Sequence, residues 1–221
     1  MKIAALISGG KDSLYATYLA AKEHELACLI SLKSKSPDSY MFHIPNIELT
    51  KLQAGTMGLP IIFAQTKGKK EEELKDLKKA IEFAVNKYGV EAVVSGALYS
   101  EYQKTRVDNI CKELGIKSLA PLWHRDAEEY LKDLTKNGFE AIITAIAAEG
   151  LNKEFLGMKI DKDFLKRVRK LNINFAGEGG EYESLVLSCP LFKKKIKIKK
   201  AKIKMEKGYI GQYIIEDAAL V

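Results

Sequence analysis

The chain has 221 residues and a formal net charge of +7, with 47% hydrophobic and 29% charged residues. This composition is that of an ordinary globular protein of one large or two small domains, which excludes wholesale disorder. No stretch approaches the roughly 18–20 uncharged apolar residues that a membrane span needs, and the N-terminus resembles a first strand rather than a secretory signal. We therefore expect a cytoplasmic protein with no membrane partner.

The first half of the chain alternates predicted strands and helices. Its predicted strands are residues 3–7, 26–32, 61–64 and 91–95, and its predicted helices are residues 12–23, a helix between Asn46 and Gly58, residues 67–89 and residues 102–114. Asn46 is expected to cap the second helix. The third helix should bury one apolar face, which comprises Leu74, Leu77, Ile81, Phe83 and Val85. Near-continuous apolar strands separated by helices predict a parallel sheet covered on both faces.

The second half of the chain has a different pattern. Asp126 and Glu129 form a capping signature for a helix, residues 140–147 should form a strand, and Asp161 should cap a helix that ends near Leu171. A glycine-rich loop and β-type alternation follow. We predict an α/β fold with a Rossmann-like parallel-sheet domain over residues 1–118 and a smaller α+β domain over residues 119–221.

Positive charge is concentrated in residues 67–79 and 193–207. The first segment has the Glu/Lys spacing of a solvated helix. The second alternates Lys with Ile, as a half-buried edge strand does, and its phase slips at Lys199-Lys200, which predicts a bulge. A solvated surface is favoured over an acidic partner, nucleic acid is not expected as a partner, and the sequence is compatible with a homo-oligomer.

Three cysteines, Cys28, Cys111 and Cys189, lie far apart without a CxxC pair. This spacing excludes a disulfide scaffold, a thiolate zinc site and a CxxC redox pair.

The sharpest motif lies between the first strand and the first helix and consists of Ser8-Gly9-Gly10-Lys11-Asp12-Ser13. Adjacent glycines allow a tight turn, and the following helix directs its positive end at an anion, so phosphate is the expected guest. Ser8 and Ser13 add hydroxyl donors, Lys11 adds charge, and Asp12 is a candidate Mg²⁺ ligand. An ordinary strand-to-helix turn is the alternative.

This motif resembles the pyrophosphate loop, SGGxDS, of the N-type ATP pyrophosphatases. The resemblance implies an adenine nucleotide alpha hydrolase domain of the HUP type, with ATP and Mg²⁺ as cofactors. It also implies that ATP is cleaved between its α and β phosphates through an adenylated intermediate.

Two further polar segments follow predicted strands or loops. Residues 96–107, GALYSEYQKTRV, lie at the carboxyl end of the fourth strand, where ligands collect in parallel sheets, and Arg106 there could clamp a phosphate or a carboxylate. Residues 177–184, GEGGEYES, alternate carboxylates with glycine and could hold Mg²⁺, ammonium or a cationic substrate group. A polar helix start and a solvated acidic loop are the respective alternatives.

Taken in order, the three motifs, together with Pro121-Leu122-Trp123, resemble the diphthine–ammonia ligase family, also called diphthamide synthetases. Shorter matches include Tyr40-Met41-Phe42-His43 and Gly150-Leu151, so the resemblance covers essentially the whole chain. It implies ATP-dependent amidation of diphthine on translation elongation factor 2 by ammonium, with AMP and pyrophosphate as by-products. Because residue 2 is Lys rather than the N-terminal Cys of one glutaminase type, free ammonium is the expected nitrogen source.

Carried over to this sequence, the family assigns residues to three roles. The nucleotide side comprises Ser8, Gly9, Gly10, Lys11, Asp12, Ser13, Met41, His43 and Gly96. The substrate side comprises Ser100, Tyr102, Gln103, Glu178 and Ser184. The catalytic residues would be Asp12, which would hold Mg²⁺ with ATP, and Arg106, Glu181 and Glu183.

Two other functions remain open from sequence. One is amidation of a different small acid by the same adenylating chemistry, and the other is nucleotide sensing without catalysis. A third, tRNA binding, depends only on the positive charge.

Overall fold

The computed structural model describes residues 1–34, 46–66 and 70–221. The chain divides into two compact units. The first comprises Met1–Ser8 and Asp12–His124, and the second comprises Gly9–Lys11 and Arg125–Val221. Residues 9–11 therefore group with the second unit, although their neighbours on both sides belong to the first.

The first unit contains a five-stranded parallel sheet within the part of the chain that the structure describes. Its strand order is β3-β2-β1-β4-β5. The strands are β1 (Lys2–Leu6), β2 (Glu25–Ser34), β3 (Ile61–Thr66), β4 (Ala92–Val94) and β5 (Lys117–Leu119). The helices are α1 (Lys11–Ala21), α2 (Thr50–Met57), α3 (Lys70–Tyr88) and α4 (Glu101–Glu113). The predicted Rossmann-like parallel sheet is confirmed.

The core of this unit explains the helix pattern. A buried cluster joins strand residues such as Cys28 and Ile30 to Leu77 and Ile81 of α3 and to Val107 of α4. The prediction that Phe83 shares the apolar face is wrong, since its side chain is 49% exposed. Two residues of helix rotate a side chain by roughly 200°, so Phe83 cannot face the same side as Ile81.

Two further expectations for the first unit are corrected. Asn46 does not cap with its side chain: its backbone is left-handed (φ 66°), and it leads into a short 3₁₀ turn, Ile47–Leu49, that precedes α2. Strand β5 was not expected, because its three residues, Lys-Ser-Leu, carry only one apolar side chain. The predicted end of α2 is confirmed, since Gly58 adopts the left-handed conformation that glycine tolerates (φ 70°).

The second unit contains an antiparallel sheet whose strand order is β7-β6-β9-β8 in the described residues. Its elements are α5 (Ala127–Lys136), β6 (Glu140–Ala147), α6 (Lys162–Val168), β7 (Tyr182–Ser188), β8 (Ile196–Lys207) and β9 (Ile210–Leu220). Both predicted caps are confirmed, since Asp126 accepts from the Glu129 amide at 2.8 Å and Asp161 accepts from the Phe164 amide at 3.1 Å. The predicted smaller α+β domain is likewise confirmed.

The lysine-rich strand β8 lies at the edge of this sheet, and its pairing with β9 shifts register on both sides of Lys200. The predicted edge strand and bulge are therefore confirmed. Lys200 and Lys202 contact the Glu216 carboxylate at 2.9 and 2.7 Å, and their hydrogen bonds lower the pKa of Glu216 to about 2. Among the described residues, no helix is long and apolar enough to cross a membrane.

Candidate functional site

The turn between β1 and α1 is held by its two serines. The Ser8 amide donates to the Ser13 hydroxyl oxygen at 3.2 Å, and the two hydroxyl oxygens are also 3.2 Å apart. Thr17 donates to the Ser13 carbonyl at 2.7 Å. Gly9 has φ 86°, in the left-handed region that favours glycine. The motif therefore forms a tight turn directly before a helix N-terminus, the arrangement that binds phosphate in other folds.

Gly96 packs directly on this turn. It follows β4, which neighbours β1 in the sheet, and the strand order reverses between these two strands, so ligands are expected at their carboxyl ends. A Cβ atom at Gly96 would lie 2.7 Å from the Ser13 nitrogen and 2.8 Å from the Asp12 carbonyl carbon. Only glycine fits there without displacing backbone, so Gly96 brings the segment after β4 against the first turn of α1.

Arg106 and Ser95 offer unsatisfied polar atoms in the first unit. Arg106 stacks its guanidinium on Tyr102, with 3.3 Å between the guanidinium carbon and the ring centroid, and donates to the Tyr102 carbonyl at 3.2 Å. Its Nε and the Ser95 hydroxyl are buried without a hydrogen-bond partner in the described residues. Because buried polar groups are normally paired, these atoms are suited to an anionic ligand.

The segment before α4 has a structural role and an exposed aromatic group. The Ser100 hydroxyl accepts from the Gln103 amide at 3.3 Å and so caps α4. Tyr99 and Trp123 both stack against His124, with ring centroids 6.1 and 4.5 Å apart. Three of the predicted substrate residues lie at the start of α4: Ser100 is its cap, and Tyr102 and Gln103 are in its first turn.

Residues 9–11 contact strand β7 and the loop before it, within the second unit. The Gly9 carbonyl accepts from the Val186 amide at 2.9 Å, and the Lys11 amide donates to the Ser184 hydroxyl at 3.1 Å. Lys11 is 2% exposed, and its ammonium donates to the Ala176 carbonyl at 2.6 Å. A lysine that binds the phosphates of ATP would present its ammonium to solvent before ATP binds. Lys11 is instead buried.

The loop of residues 174–181, which we term the acidic loop, is held by one of its own carboxylates. The Glu181 carboxylate accepts two hydrogen bonds from backbone amides, one at each oxygen. The donors are Asn174 at 3.0 Å and Gly179 at 2.8 Å. Gly177 has φ 76°, and a Cβ there would lie 2.9 Å from the Tyr182 carbonyl oxygen. The Glu181 carboxylate therefore organises the loop backbone, which sequence alone could not distinguish from a role in chemistry.

Glu183, two residues along, has a different environment. Its Oε2 atom is buried without a hydrogen-bond partner in the described part of the chain. Burial raises the pKa of Glu183 to about 7, while the charge of Lys11 opposes that rise. A carboxyl group whose pKa is close to neutrality can accept and release protons under ordinary conditions, as a general base must.

A bulge in β6 lies opposite Glu183. Ile143 pairs with Ser184 and Ala145 pairs with Glu183, so Thr144 is the extra residue between them. The Thr144 hydroxyl is buried and has no hydrogen-bond partner in the described residues. Bulges of this kind often re-aim side chains beside active sites. Nothing in the sequence marks Thr144, because it stands within an apolar strand.

Several expected site residues do not help to define the geometry of the candidate site. Met41 and His43 lie outside the described residues. The Glu178 amide contacts the Asn174 side chain at 3.5 Å. In the ranges that the structure covers, no three His, Cys, Asp or Glu side chains form a group that could hold a metal ion.

Comparison with known proteins identifies the relatives of this chain. Residues 1–118 match the family model for the diphthamide synthase N-terminal domain, and residues 126–221 match the model for the C-terminal domain. A protein from Bos taurus named diphthine–ammonia ligase is 36% identical over 89% of this chain and 82% of its own length. A protein of the same name from Schizosaccharomyces pombe is 37% identical, and the match covers 89% of this chain and 36% of the relative.

A solved structure, described as a predicted subunit of tRNA methyltransferase from Methanocaldococcus jannaschii, has a TM-score of 0.46 and 18% identity, covering 86% of this chain and 98% of that one. That likeness is too weak to bear on function. The two family models together account for nearly the whole sequence, and the bovine relative is matched over most of its own length. The chain belongs to the diphthamide synthase family.

Proposed function

We propose that this protein is an ATP-dependent ligase that amidates diphthine on translation elongation factor 2 with ammonium, releasing diphthamide, AMP and pyrophosphate. The observation that carries the proposal is the match of both diphthamide synthase domains along one chain, with relatives named diphthine–ammonia ligase. The buried Glu183 in the second of these domains supports it, because amidation by ammonium needs a base.

The first step would be adenylation. The diphthine carboxylate attacks the α-phosphate of ATP and pyrophosphate leaves, which brings several anions together. Neutralising them falls to the turn of Ser8, Gly9, Gly10 and Ser13, to the N-terminus of α1 and to Arg106. Asp12 would hold the Mg²⁺ that accompanies ATP, and that ion would add positive charge beside the phosphates. The stacking of Arg106 on Tyr102 supports this role by fixing the guanidinium plane.

The second step would be aminolysis of the acyl-adenylate. Ammonium must lose a proton before its nitrogen can attack the acyl carbon, and the nitrogen loses a second proton as AMP leaves. Glu183 would accept that proton, since a carboxylate with a pKa of about 7 is substantially ionised at neutral pH. The unpaired Thr144 hydroxyl could accept a second hydrogen bond from ammonium. In this assignment Glu181 shapes the acidic loop, and Glu183 carries the chemistry.

The test is mass spectrometry of diphthine-bearing elongation factor 2 incubated with the protein, ATP and ammonium. We expect conversion of the diphthine carboxylate to the amide, and none when ATP or ammonium is omitted. Asp12→Ala and Ser13→Ala should abolish AMP formation while both variants remain folded by circular dichroism. Adenylation of a different acid, with no change in elongation factor 2, would instead support the alternative of a small-acid amide ligase.

A further inference from the structure

We propose that Lys11 is a positioning residue for Glu183 within the second unit, and that it is not a ligand of the phosphates. The proposal rests on the proposed function above, because it assigns Glu183 as the base of the amidation step. It reassigns the one lysine of the SGGKDS motif on the basis of where its backbone and side chain lie.

The side chain of Lys11 is built into the second unit. The residue is 2% exposed, and its ammonium donates to the Ala176 carbonyl at 2.6 Å and lies 5.1 Å from the centroid of the Tyr182 ring. Tyr182 is fixed in turn, since its hydroxyl donates to the Phe175 carbonyl at 2.8 Å. A buried ammonium must be compensated by polar and π partners, and the start of the acidic loop and the start of β7 supply them.

The backbone of the turn is joined to the same strand. The Gly9 carbonyl and the Lys11 amide bond to Val186 and Ser184, which are alternate residues of β7. Glu183 stands between Tyr182, which contacts the Lys11 ammonium, and Ser184, which contacts the Lys11 amide. A displacement of Lys11 would therefore be transmitted to both neighbours of the carboxyl group.

Lys11 also acts on Glu183 through its charge. Burial disfavours the ionised form of this carboxyl group, and the Lys11 ammonium opposes that effect. The other carboxylates of the segment are Glu178 and Glu181, of which Glu181 is bonded to loop amides. The residue of β6 opposite Glu183 is the uncharged Ala145. Removing the Lys11 charge should therefore hold Glu183 protonated to higher pH.

The direct test is an NMR titration of the Glu183 side-chain carboxyl carbon in the wild-type protein and in Lys11→Met. We expect the midpoint to move upward by about one pH unit in Lys11→Met, as loss of a nearby opposite charge predicts. Lys22→Met is the matched control, because Lys22 is exposed and directly follows the same helix, and the Glu183 titration in this variant should coincide with that of the wild type. An unchanged midpoint in Lys11→Met would overturn the proposal. This readout does not require ligase activity, so it separates the proposal from the proposed function.

Kinetics then distinguish a positioning residue from a phosphate ligand. For Lys11→Met we expect an ATP KM within about threefold of the wild-type value. Amide formation at pH 7 should fall by roughly fivefold, because a rise of one unit in the pKa of Glu183 lowers its ionised fraction from about one half to about one tenth. If Lys11→Met does not fold, Ser184→Ala tests the same link by removing the acceptor of the Lys11 amide. It should lower amide formation with little change in ATP KM. A raised ATP KM with an unchanged pH profile, in whichever of the two variants is folded, would contradict the proposal.

Discussion

Replacing Gly96 with Ala is the sharpest structural perturbation of the candidate nucleotide site. The added methyl group would lie 2.7 Å from the Ser13 nitrogen, about 0.7 Å closer than the 3.4 Å at which ordinary van der Waals contact begins. The atoms that it meets belong to the backbone at Asp12 and Ser13, so no side-chain rotation can relieve the contact. Either the segment after β4 or the first turn of α1 must move.

The size of the expected loss of stability and activity follows from this close approach. Overpacking of this kind typically costs about 1–3 kcal/mol of stability. A misplacement of catalytic groups approaching 1 Å can reduce the rate by about 100-fold. We therefore expect Gly96→Ala to unfold at lower urea concentration and to lose most of its ATP binding and AMP formation.

Gly55→Ala provides the matched control. Gly55 lies in the exposed interior of α2, and no atom lies within 4 Å of a Cβ built there. The helix should gain roughly 0.5–1 kcal/mol from this change, because glycine is a poor helix former. Urea unfolding and calorimetric titration with ATP would measure both variants. Wild-type stability and ATP affinity in Gly96→Ala would refute the close packing of the two segments.

Further predictions concern three single residues. Glu183→Gln should abolish the pH dependence of amide formation near pH 7 while ATP binding, measured by calorimetry, is retained; an equal loss of both would contradict its role. Folding raises the pKa of Glu183 from 4.5 to about 7, so the folded state loses stability as pH rises between these values. Above pH 7, the free energy of unfolding of Glu183→Gln, measured with urea, should therefore exceed that of the wild type by about 3 kcal/mol, with no gain at pH 4. Thr144→Val should raise the ammonium KM by about tenfold, as for loss of a hydrogen bond to a charged group, and an unchanged KM would exclude that contact. Asp126→Ala should cost about 1 kcal/mol in urea unfolding through loss of the α5 cap, and a neutral result would contradict the hydrogen bond to Glu129.

The parallel sheet and the position of the phosphate turn follow from local patterns that a sequence displays. Apolar runs identify β1 to β4, and adjacent glycines with flanking serines identify the turn at Ser8. Strand β5 is different, because a three-residue edge strand has no periodicity to detect. The expectation that Asn46 caps α2 with its side chain is wrong because asparagine favours two arrangements. It is common both at helix caps and in the left-handed backbone conformation that it adopts here.

The site was less predictable where function depends on long-range contacts. Glu181 and Glu183 look alike in the sequence, yet one accepts two loop amides and the other has a buried, unpaired oxygen. Lys11 lies within a motif that suggests phosphate binding, but its ammonium contacts Ala176, 165 residues away. Such pairings depend on the tertiary fold, and no local rule of spacing or propensity describes them.

The central claim, that the turn after β1 directs cleavage of ATP at its α-phosphate, can be tested through the fate of the nucleotide. Phosphorus NMR of ATP incubated with the protein, ammonium and diphthine-bearing elongation factor 2 would identify the products directly. We expect AMP and pyrophosphate in amounts equal to the amide formed, and neither product with Asp12→Ala. Release of ADP and phosphate, or amide formation without consumption of ATP, would contradict the account.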